Sequence, residues 1–146
     1  MTLQAIGKIN VDQNAGRVVL NLSNDFVRYY LWFIKKELWI DLQSPMHKSH
    51  ITLANKKLHK NVDYRLAADL YHNQIVKFDY DEYAIRGGKT KGFVMFYLRV
   101  FSADLDRIKR KIGVVENDNY RGLHITLGNS KAGLKTYWPE LIEIKK

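Results

Sequence analysis

The sequence predicts an α+β fold, one domain made of two duplicated ββαβ units whose mainly antiparallel sheets line a central cleft between two lobes. A hexapeptide occurs twice, as HITLAN at residues 50–55 and as HITLGN at residues 124–129. A hairpin, a helix and then the hexapeptide strand follow one another in both halves. Self-similarity of this kind indicates an internal repeat. We place the whole chain, 1–146, in one bilobal domain, with lobes at roughly 1–60 and 75–130 and a C-terminal strand within 135–146.

Each hexapeptide alternates polar and apolar residues, the pattern of a half-buried strand. Residues two apart on a strand point to the same face, so His50 shares a face with Thr52, and His124 with Thr126. The two histidines are 124 − 50 = 74 residues apart. A pseudo-twofold axis relating the halves would bring all four side chains to one cleft, and ligands tend to bind in clefts.

The first half predicts a hairpin and a helix before the motif. Residues 3–11 and 17–22 alternate as strands, with a turn containing Gly16 between them. Ser23 stands at an N-cap position, a role that Asn24 or Asp25 could share, and apolar residues recur at helical spacing over 25–38.

The second half repeats this order after a short helix. Ser102 stands at another N-cap position, and Gly113 is placed to end the helix that follows. The predicted elements are a helix over 62–71, strands over 75–85 and 93–101 joined by a glycine-rich loop, a helix over 103–112, the second motif strand, and an edge strand near 141–144.

Composition bounds the class of protein and its partners. The chain has 146 residues, 46% of them apolar, enough for a real core. A net charge of +9 favours an anionic partner such as a nucleotide, a nucleic acid or an acidic membrane, with an ordinary solvated lysine-rich surface as the alternative. The absence of cysteine excludes disulfides and thiolate zinc sites and fits the cytoplasm, where we expect the protein as a monomer. We expect no signal peptide and no membrane partner, because no apolar run approaches about 18 residues.

The tripeptide HIT at residues 50–52 and again at 124–126 resembles the paired His-x-Thr motifs of the 2H phosphoesterase superfamily. The resemblance implies a LigT-like fold and a phosphodiesterase that needs neither metal nor cofactor. The superfamily includes RNA 2′,3′-cyclic phosphodiesterases, RNA ligase-like proteins, and compact viral enzymes that degrade 2′-5′ oligoadenylates or cyclic oligonucleotide messengers. The short chain is most similar to the viral group, which implies immune evasion in the host cytoplasm.

The chemistry explains why histidine and threonine are needed. An imidazole titrates near pH 6.5, so one histidine can act as general base while the other acts as general acid. Hydroxyl groups on the same face can donate hydrogen bonds to the charged phosphate oxygens of the transition state. We therefore predict that the catalytic residues are His50, Thr52, His124 and Thr126, with either order of base and acid. Two histidines without a carboxylate or a thiolate in the motif make a poor zinc site, so no metal is expected.

Substrate-binding residues are predicted from position and residue type. Lys56 and Lys131 follow the two motifs and Lys48 precedes the first, where each could neutralise a phosphate or stay an ordinary solvated lysine. Tyr137 and Trp138 could stack on a nucleobase, or pack the tail against the core.

Residues near the motifs have plainer interpretations. His47, His59 and His72 have no repeat partner and are predicted to be surface or loop residues, with His47 close enough to support the motif. Asn55 and Asn129 are predicted to cap the ends of the motif strands through side-chain hydrogen bonds.

Two other functions remain open at this stage. The chain could be a cellular-type RNA 2′,3′-cyclic phosphodiesterase or RNA ligase-like enzyme, or a basic RNA-binding module without turnover. The presence of both histidines and both threonines favours an enzyme. The linkage cleaved and the nucleobase do not follow from the sequence.

Overall fold

The structure, a computed structural model, describes residues 2–38, 49–90, 93–115, 122–131 and 143–144. These ranges contain seven strands and three helices. In chain order they are β1 (Thr2–Asp12), β2 (Arg17–Asn21), α1 (Asn24–Leu38), β3 (His50–Asn55), α2 (Tyr64–Tyr71), β4 (Ile75–Thr90), β5 (Phe93–Phe101), α3 (Ala103–Lys111), β6 (His124–Lys131) and β7 (Glu143–Ile144).

Six strands form a closed antiparallel barrel in the order β1-β2-β3-β6-β5-β4, with β4 pairing back to β1. The closing pair runs from Thr2 opposite Asp81 to Lys8 opposite Ile75. The prediction of an open, bilobal cleft lined by sheets was therefore wrong. Alternation in a sequence shows which face of a strand is buried, but it does not show which strand lies beside it.

The core lies on one face of the barrel strands, and the three helices pack on that same face. Phe26 of α1 makes an edge-to-face contact with Tyr80 of β4, with ring centroids 4.7 Å apart. Leu105 and Ile108 of α3 and Ala67 of α2 are buried in the same cluster. The strand residues that complete this core include Ile9, Val18, Leu20, Ile51, Leu53, Val76, Phe78, Phe96, Leu98, Val100, Ile125 and Leu127.

The first motif strand carries a β-bulge. Val18 of β2 pairs with Ala54, whereas its neighbour Val19 pairs with Thr52, so Leu53 is the extra residue. Both Leu53 and Ala54 are fully buried, which breaks the strict alternation of the strand. A bulge of this kind bends a strand and re-aims its side chains.

The second motif strand carries a bulge at the equivalent position. Phe96 of β5 pairs with Gly128, whereas Tyr97 pairs with Thr126, so Leu127 is the extra residue. Leu127 is fully buried. The repeated hexapeptide therefore corresponds to a repeated irregularity of the backbone.

Both predicted serine caps are confirmed. The Ser23 hydroxyl accepts a hydrogen bond from the Asp25 amide at 3.3 Å, and α1 begins at the next residue, Asn24. The Ser102 hydroxyl accepts from the Leu105 amide at 3.1 Å at the start of α3. These bonds satisfy amides that have no partner within the helix.

Gly113 ends α3 as its sequence position predicts. Its φ is +93°, a left-handed conformation that favours glycine. The Val114 amide donates to the Lys109 carbonyl at 2.9 Å, and the Gly113 amide donates to the Arg110 carbonyl at 3.2 Å. This pair of bonds is a Schellman motif, which satisfies the last carbonyls of the helix.

The C-terminal end of β4 differs from the prediction. β4 continues to Thr90, where the sequence suggested a glycine-rich loop from residue 86. In the predicted C-terminal strand, Glu143 and Ile144 form β7 and pair with Ile85 and Ala84 of β4. The rest of that segment lies outside the described residues.

Candidate functional site

The two motif strands are neighbours in the barrel. Ile51 of β3 lies opposite Ile125 of β6 in an antiparallel pair, and both side chains are fully buried in the core. The residues on either side of each isoleucine must point to the other face of the sheet. The closed barrel therefore still places both His-x-Thr motifs side by side, on the face opposite the helices.

The antiparallel register sets a four-cornered arrangement of the motif side chains. With the isoleucines opposite each other, His50 lies beside Thr126, and Thr52 lies beside His124. The two histidines thus occupy one diagonal and the two threonines the other. All four residues are partly exposed, so the arrangement is accessible from solvent.

A backbone carbonyl orients the ring of His124. Its Nδ1 lies 2.8 Å from the carbonyl oxygen of Gly122. A carbonyl only accepts, so Nδ1 carries the hydrogen and the neutral ring has its basic lone pair on Nε2. Gly122 has a φ of +79°, a left-handed conformation suited to glycine, which aims this carbonyl back at the ring.

Two residues of β5 complete the surroundings of the second motif. The ring of Tyr97 meets the His124 ring edge-on, with centroids 5.8 Å apart and planes inclined at 73°. The Thr126 hydroxyl donates to the sulfur of Met95 at 3.9 Å. Sulfur is a weak acceptor, so a phosphate oxygen would be the better partner for this hydroxyl.

A cation also lies beside the second motif. Arg99 of β5 is directly opposite His124. Its guanidinium forms an ion pair with Asp81 of β4, 3.2 Å between Nη2 and Oδ2, and its side chain is 49% exposed.

The sequence-based site list missed both Tyr97 and Arg99. They are two residues apart on the polar face of a strand that alternates, which is a detectable signal. Their relevance depends on β5 lying beside β6, a pairing that the alternation does not determine.

The predicted substrate-binding residues are less well supported. Lys56 follows the end of β3; its amide donates to the Gly16 carbonyl, and its side chain passes close to Gly16. It is four positions beyond Thr52, which corresponds to roughly 13 Å in extended chain. Lys131 ends β6, but its side chain lies outside the description, as do Lys48, Tyr137 and Trp138 entirely.

His59 lies in the loop that follows β3, as predicted, but its side chain is buried, at 4% exposed, rather than on the surface. Its Nδ1 accepts a hydrogen bond from the Asn55 amide at 3.3 Å. Burial lowers the pKa of His59 below its usual value, and the nearby Lys109 ammonium lowers that pKa further. Lys109 is itself buried, which lowers its own pKa.

The other two predictions are confirmed where the structure describes them. His72 is exposed, and its Nδ1 accepts from the Val11 amide at 3.1 Å. Asn55 caps the end of β3, since its side-chain oxygen accepts from the Lys57 amide at 2.8 Å. Asn129 has no described side chain, and His47 lies outside the described ranges.

A groove elsewhere on the surface does not include the motifs. It has a volume of about 390 Å³ and lies between α2, β4 and α3, where Tyr71, Lys77 and Arg107 are among its lining residues. A groove of this volume is in the size range of small-molecule sites. We favour the motif face, because it brings two histidines and two threonines together, whereas the described lining of the groove includes no histidine.

The described part of the chain contains no cluster of three or more His, Cys, Asp or Glu residues that could hold a metal ion. Among the described helices, none is both long and apolar enough to cross a membrane. Comparisons with protein-family models, with curated proteins and with solved structures found no match for this chain.

Proposed function

We propose that the chain is a metal-independent phosphodiesterase of the 2H type, acting on an RNA-like substrate or an oligonucleotide messenger in the cytoplasm. The supporting observation is the pairing of β3 with β6, which sets two identical His-x-Thr motifs side by side on one accessible face. A 2′-5′ oligoadenylate or a cyclic oligonucleotide is the substrate class proposed, and antagonism of host immunity is the role. The net charge of +9 suits such anions.

The spacing on the sheet supports a single shared phosphate. Diagonal residues on neighbouring antiparallel strands have Cα atoms about 7–8 Å apart. His50 and His124 are related in this way. Imidazole rings that extend from such positions can reach opposite sides of one phosphate group, the arrangement that an in-line displacement needs.

In the proposed reaction, one imidazole takes a proton from the attacking water or ribose 2′-hydroxyl as its oxygen bonds to phosphorus. The other imidazole gives a proton to the leaving oxygen as its bond to phosphorus breaks. Thr52 and Thr126 donate hydrogen bonds to the non-bridging oxygens, where negative charge accumulates. The Gly122 carbonyl holds the His124 ring with Nε2 as the atom that exchanges the proton.

A binding module without turnover is the second candidate, and the basic charge of the chain favours it. It requires nothing of the histidines beyond hydrogen bonding. A cellular-type RNA 2′,3′-cyclic phosphodiesterase or RNA ligase-like activity is the enzymatic alternative. Turnover of any substrate would distinguish the proposed enzyme from a binding module. The identity of the products would distinguish it from the cellular-type enzymes.

The test is incubation with a substrate panel in the presence of EDTA. The panel holds 2′,3′-cyclic nucleotides, 2′-5′ and 3′-5′ oligoadenylates, and cyclic di- and trinucleotides, with products resolved by chromatography. We expect cleavage of an oligonucleotide substrate that chelation does not reduce, because imidazoles supply both acid and base. Activity lost with EDTA and restored by Zn²⁺ or Mn²⁺ would contradict this mechanism. No turnover of any substrate would favour the binding module.

A further inference from the structure

The two motifs are alike, but the strands beside them are not. β2 places Asn21 and Val19 opposite the histidine and the threonine of the first motif. β5 places Arg99 and Tyr97 at the equivalent positions of the second motif. The repeat is therefore symmetric at the proposed reaction centre and asymmetric on its flanks.

The two flanks differ in the chemical groups that they offer to a nucleotide. A guanidinium suits a phosphate through charge-assisted hydrogen bonds, and an aromatic ring offers a stacking surface to a base of any sequence. Arg99 and Tyr97 are two apart on β5, so both face the same side as the motif. Asn21 and Val19 provide neither a charge nor a ring on the other flank.

The ion pair of Arg99 is one that an incoming phosphate can replace. The Arg99 side chain is 49% exposed, and that of Asp81 is 17% exposed. The other Asp81 oxygen accepts from the Tyr83 amide at 3.3 Å, so the carboxylate is fixed to β4. Asp81 therefore holds the guanidinium on the motif face and competes with any anion that binds it.

We propose that Arg99 and Tyr97 form a nucleotide-binding subsite on the β5 side of the motifs. Tyr97 stacks on a base next to the scissile bond, and Arg99 binds the next phosphate along the chain. The preferred substrate is thus an oligonucleotide with at least one phosphate beyond the one cleaved. This inference rests on the proposed function for the position of the scissile phosphate.

The test is calorimetric titration with two unlabelled 2′-5′-linked probes, 3′-O-methyl diadenylate with one phosphate and 3′-O-methyl tetraadenylate with three. Arg99→Gln should weaken tetranucleotide binding roughly tenfold, the size expected for a hydrogen bond to a charged group, and leave dinucleotide binding unchanged. Asp81→Asn should strengthen tetranucleotide binding, because the competing carboxylate is gone. Tyr97→Leu should weaken both probes about tenfold, and Tyr97→Phe should restore the stacking.

The salt dependence of binding is a second measurement, and a purely structural role of Arg99 would not change it. Arg99→Gln should reduce the slope of log K against log salt by about 0.7 for the tetranucleotide, the value for one contact to a single-stranded phosphate. Arg107→Gln is the matched control. Arg107 is 68% exposed and paired with Asp104 on α3, which packs on the opposite face of the sheet. The Arg107→Gln variant should bind both probes as tightly as the wild type does.

The subsite is overturned if the wild type binds both probes equally, if Arg99→Gln weakens both alike, or if Asp81→Asn leaves tetranucleotide binding unchanged. Turnover is measured separately on 2′-5′ and 3′-5′ oligoadenylates. Binding that depends on Arg99 without any turnover leaves the subsite standing and removes the proposed function. Turnover without length-dependent binding does the reverse.

Discussion

At the scale of single residues, identical motifs occupy unlike surroundings. The His124 ring contacts the Gly122 carbonyl and the Tyr97 ring, and Arg99 lies opposite. The strand beside His50 presents Asn21 instead. Two histidines with the same sequence context therefore have different surroundings, which suits separate roles as acid and base.

Replacement of either motif histidine is the sharpest test at this scale. His50→Ala and His124→Ala should each reduce turnover by roughly 10²-fold or more, because each removes one of two proton-transfer groups. The double variant should be scarcely worse, since the pair acts as a unit. Turnover by the wild type should follow a bell-shaped pH profile with imidazole-like limbs.

Milder variants and a control accompany this test. Thr52→Ala and Thr126→Ala should each lose about 10–10³-fold through the missing donor. His72→Ala, at an exposed histidine that lies between the two motif strands in the sequence, should keep full activity. Near-normal turnover by a correctly folded His50→Ala or His124→Ala variant would rule out the two-histidine mechanism.

His59 predicts a pH dependence of stability. Its pKa is lowered in the folded protein, so below about pH 6.5 the unfolded chain binds the proton more readily. The free energy of unfolding should fall as the solution is acidified from pH 7 to pH 5. His59→Asn, which keeps an acceptor for the Asn55 amide, should reduce this fall, as measured by urea unfolding at both pH values.

Two lysine variants test whether the lowered pKa of His59 causes the acid sensitivity. Lys109→Met removes the ammonium that helps to lower the His59 pKa, so it should also reduce the acid sensitivity. Lys57→Met, at an exposed lysine, is the charge-matched control. An acid sensitivity that is the same in His59→Asn and the wild type would show that other groups govern it.

At the scale of elements, the serine caps set where α1 and α3 begin, and the β-bulges set where β3 and β6 bend. Ser102 is a joint between two elements, because its hydroxyl accepts from Leu105 of α3 and donates to the Lys77 carbonyl of β4 at 2.9 Å. The same side chain therefore starts a helix and attaches it to the sheet.

Ser102→Ala should lower the free energy of unfolding by about 1–2 kcal/mol, through the lost cap and the lost hydrogen bond to β4. Ser102→Thr keeps the hydroxyl and should lose much less. Chemical denaturation of both variants is the measurement. An alanine variant as stable as the threonine variant would mean that the hydroxyl contributes nothing.

At the scale of the whole molecule, closure of the barrel rests on β1, which pairs with both β2 and β4. Gly7 lies within this strand, opposite Val76 of β4. A Cβ at Gly7 would lie 2.6 Å from Cγ of Leu20 and 2.7 Å from the carbonyl oxygen of Asn21. The close approach of β1 to β2 therefore requires a residue without a side chain.

Gly7→Ala should destabilise the fold by about 1–3 kcal/mol, the usual cost of overpacking, because a backbone carbonyl cannot move aside as a side chain can. Ile6→Ala, on the exposed face of the same strand, is the control and should change stability by less than about 0.5 kcal/mol. Equal stability of Gly7→Ala and the wild type in urea would show that β1 adjusts without cost.

The sequence by itself determined the features that depend on near neighbours. Alternation around Ile51 and Ile125 assigned the buried and accessible faces of both motif strands, and the helix starts at Ser23 and Ser102 were predictable from local capping chemistry. These features depend on residues a few positions apart, so they can be predicted from the local sequence.

Only the tertiary structure decided how the strands close and what stands beside the motifs. β1 meets β4, β5 brings Arg99 opposite His124, and His59 is buried near Lys109. Each contact joins residues far apart in sequence, and several strand orders would satisfy the same alternation. The strand order depends on how all the buried faces, bulges and helices pack together. It therefore cannot be predicted from any single stretch of sequence.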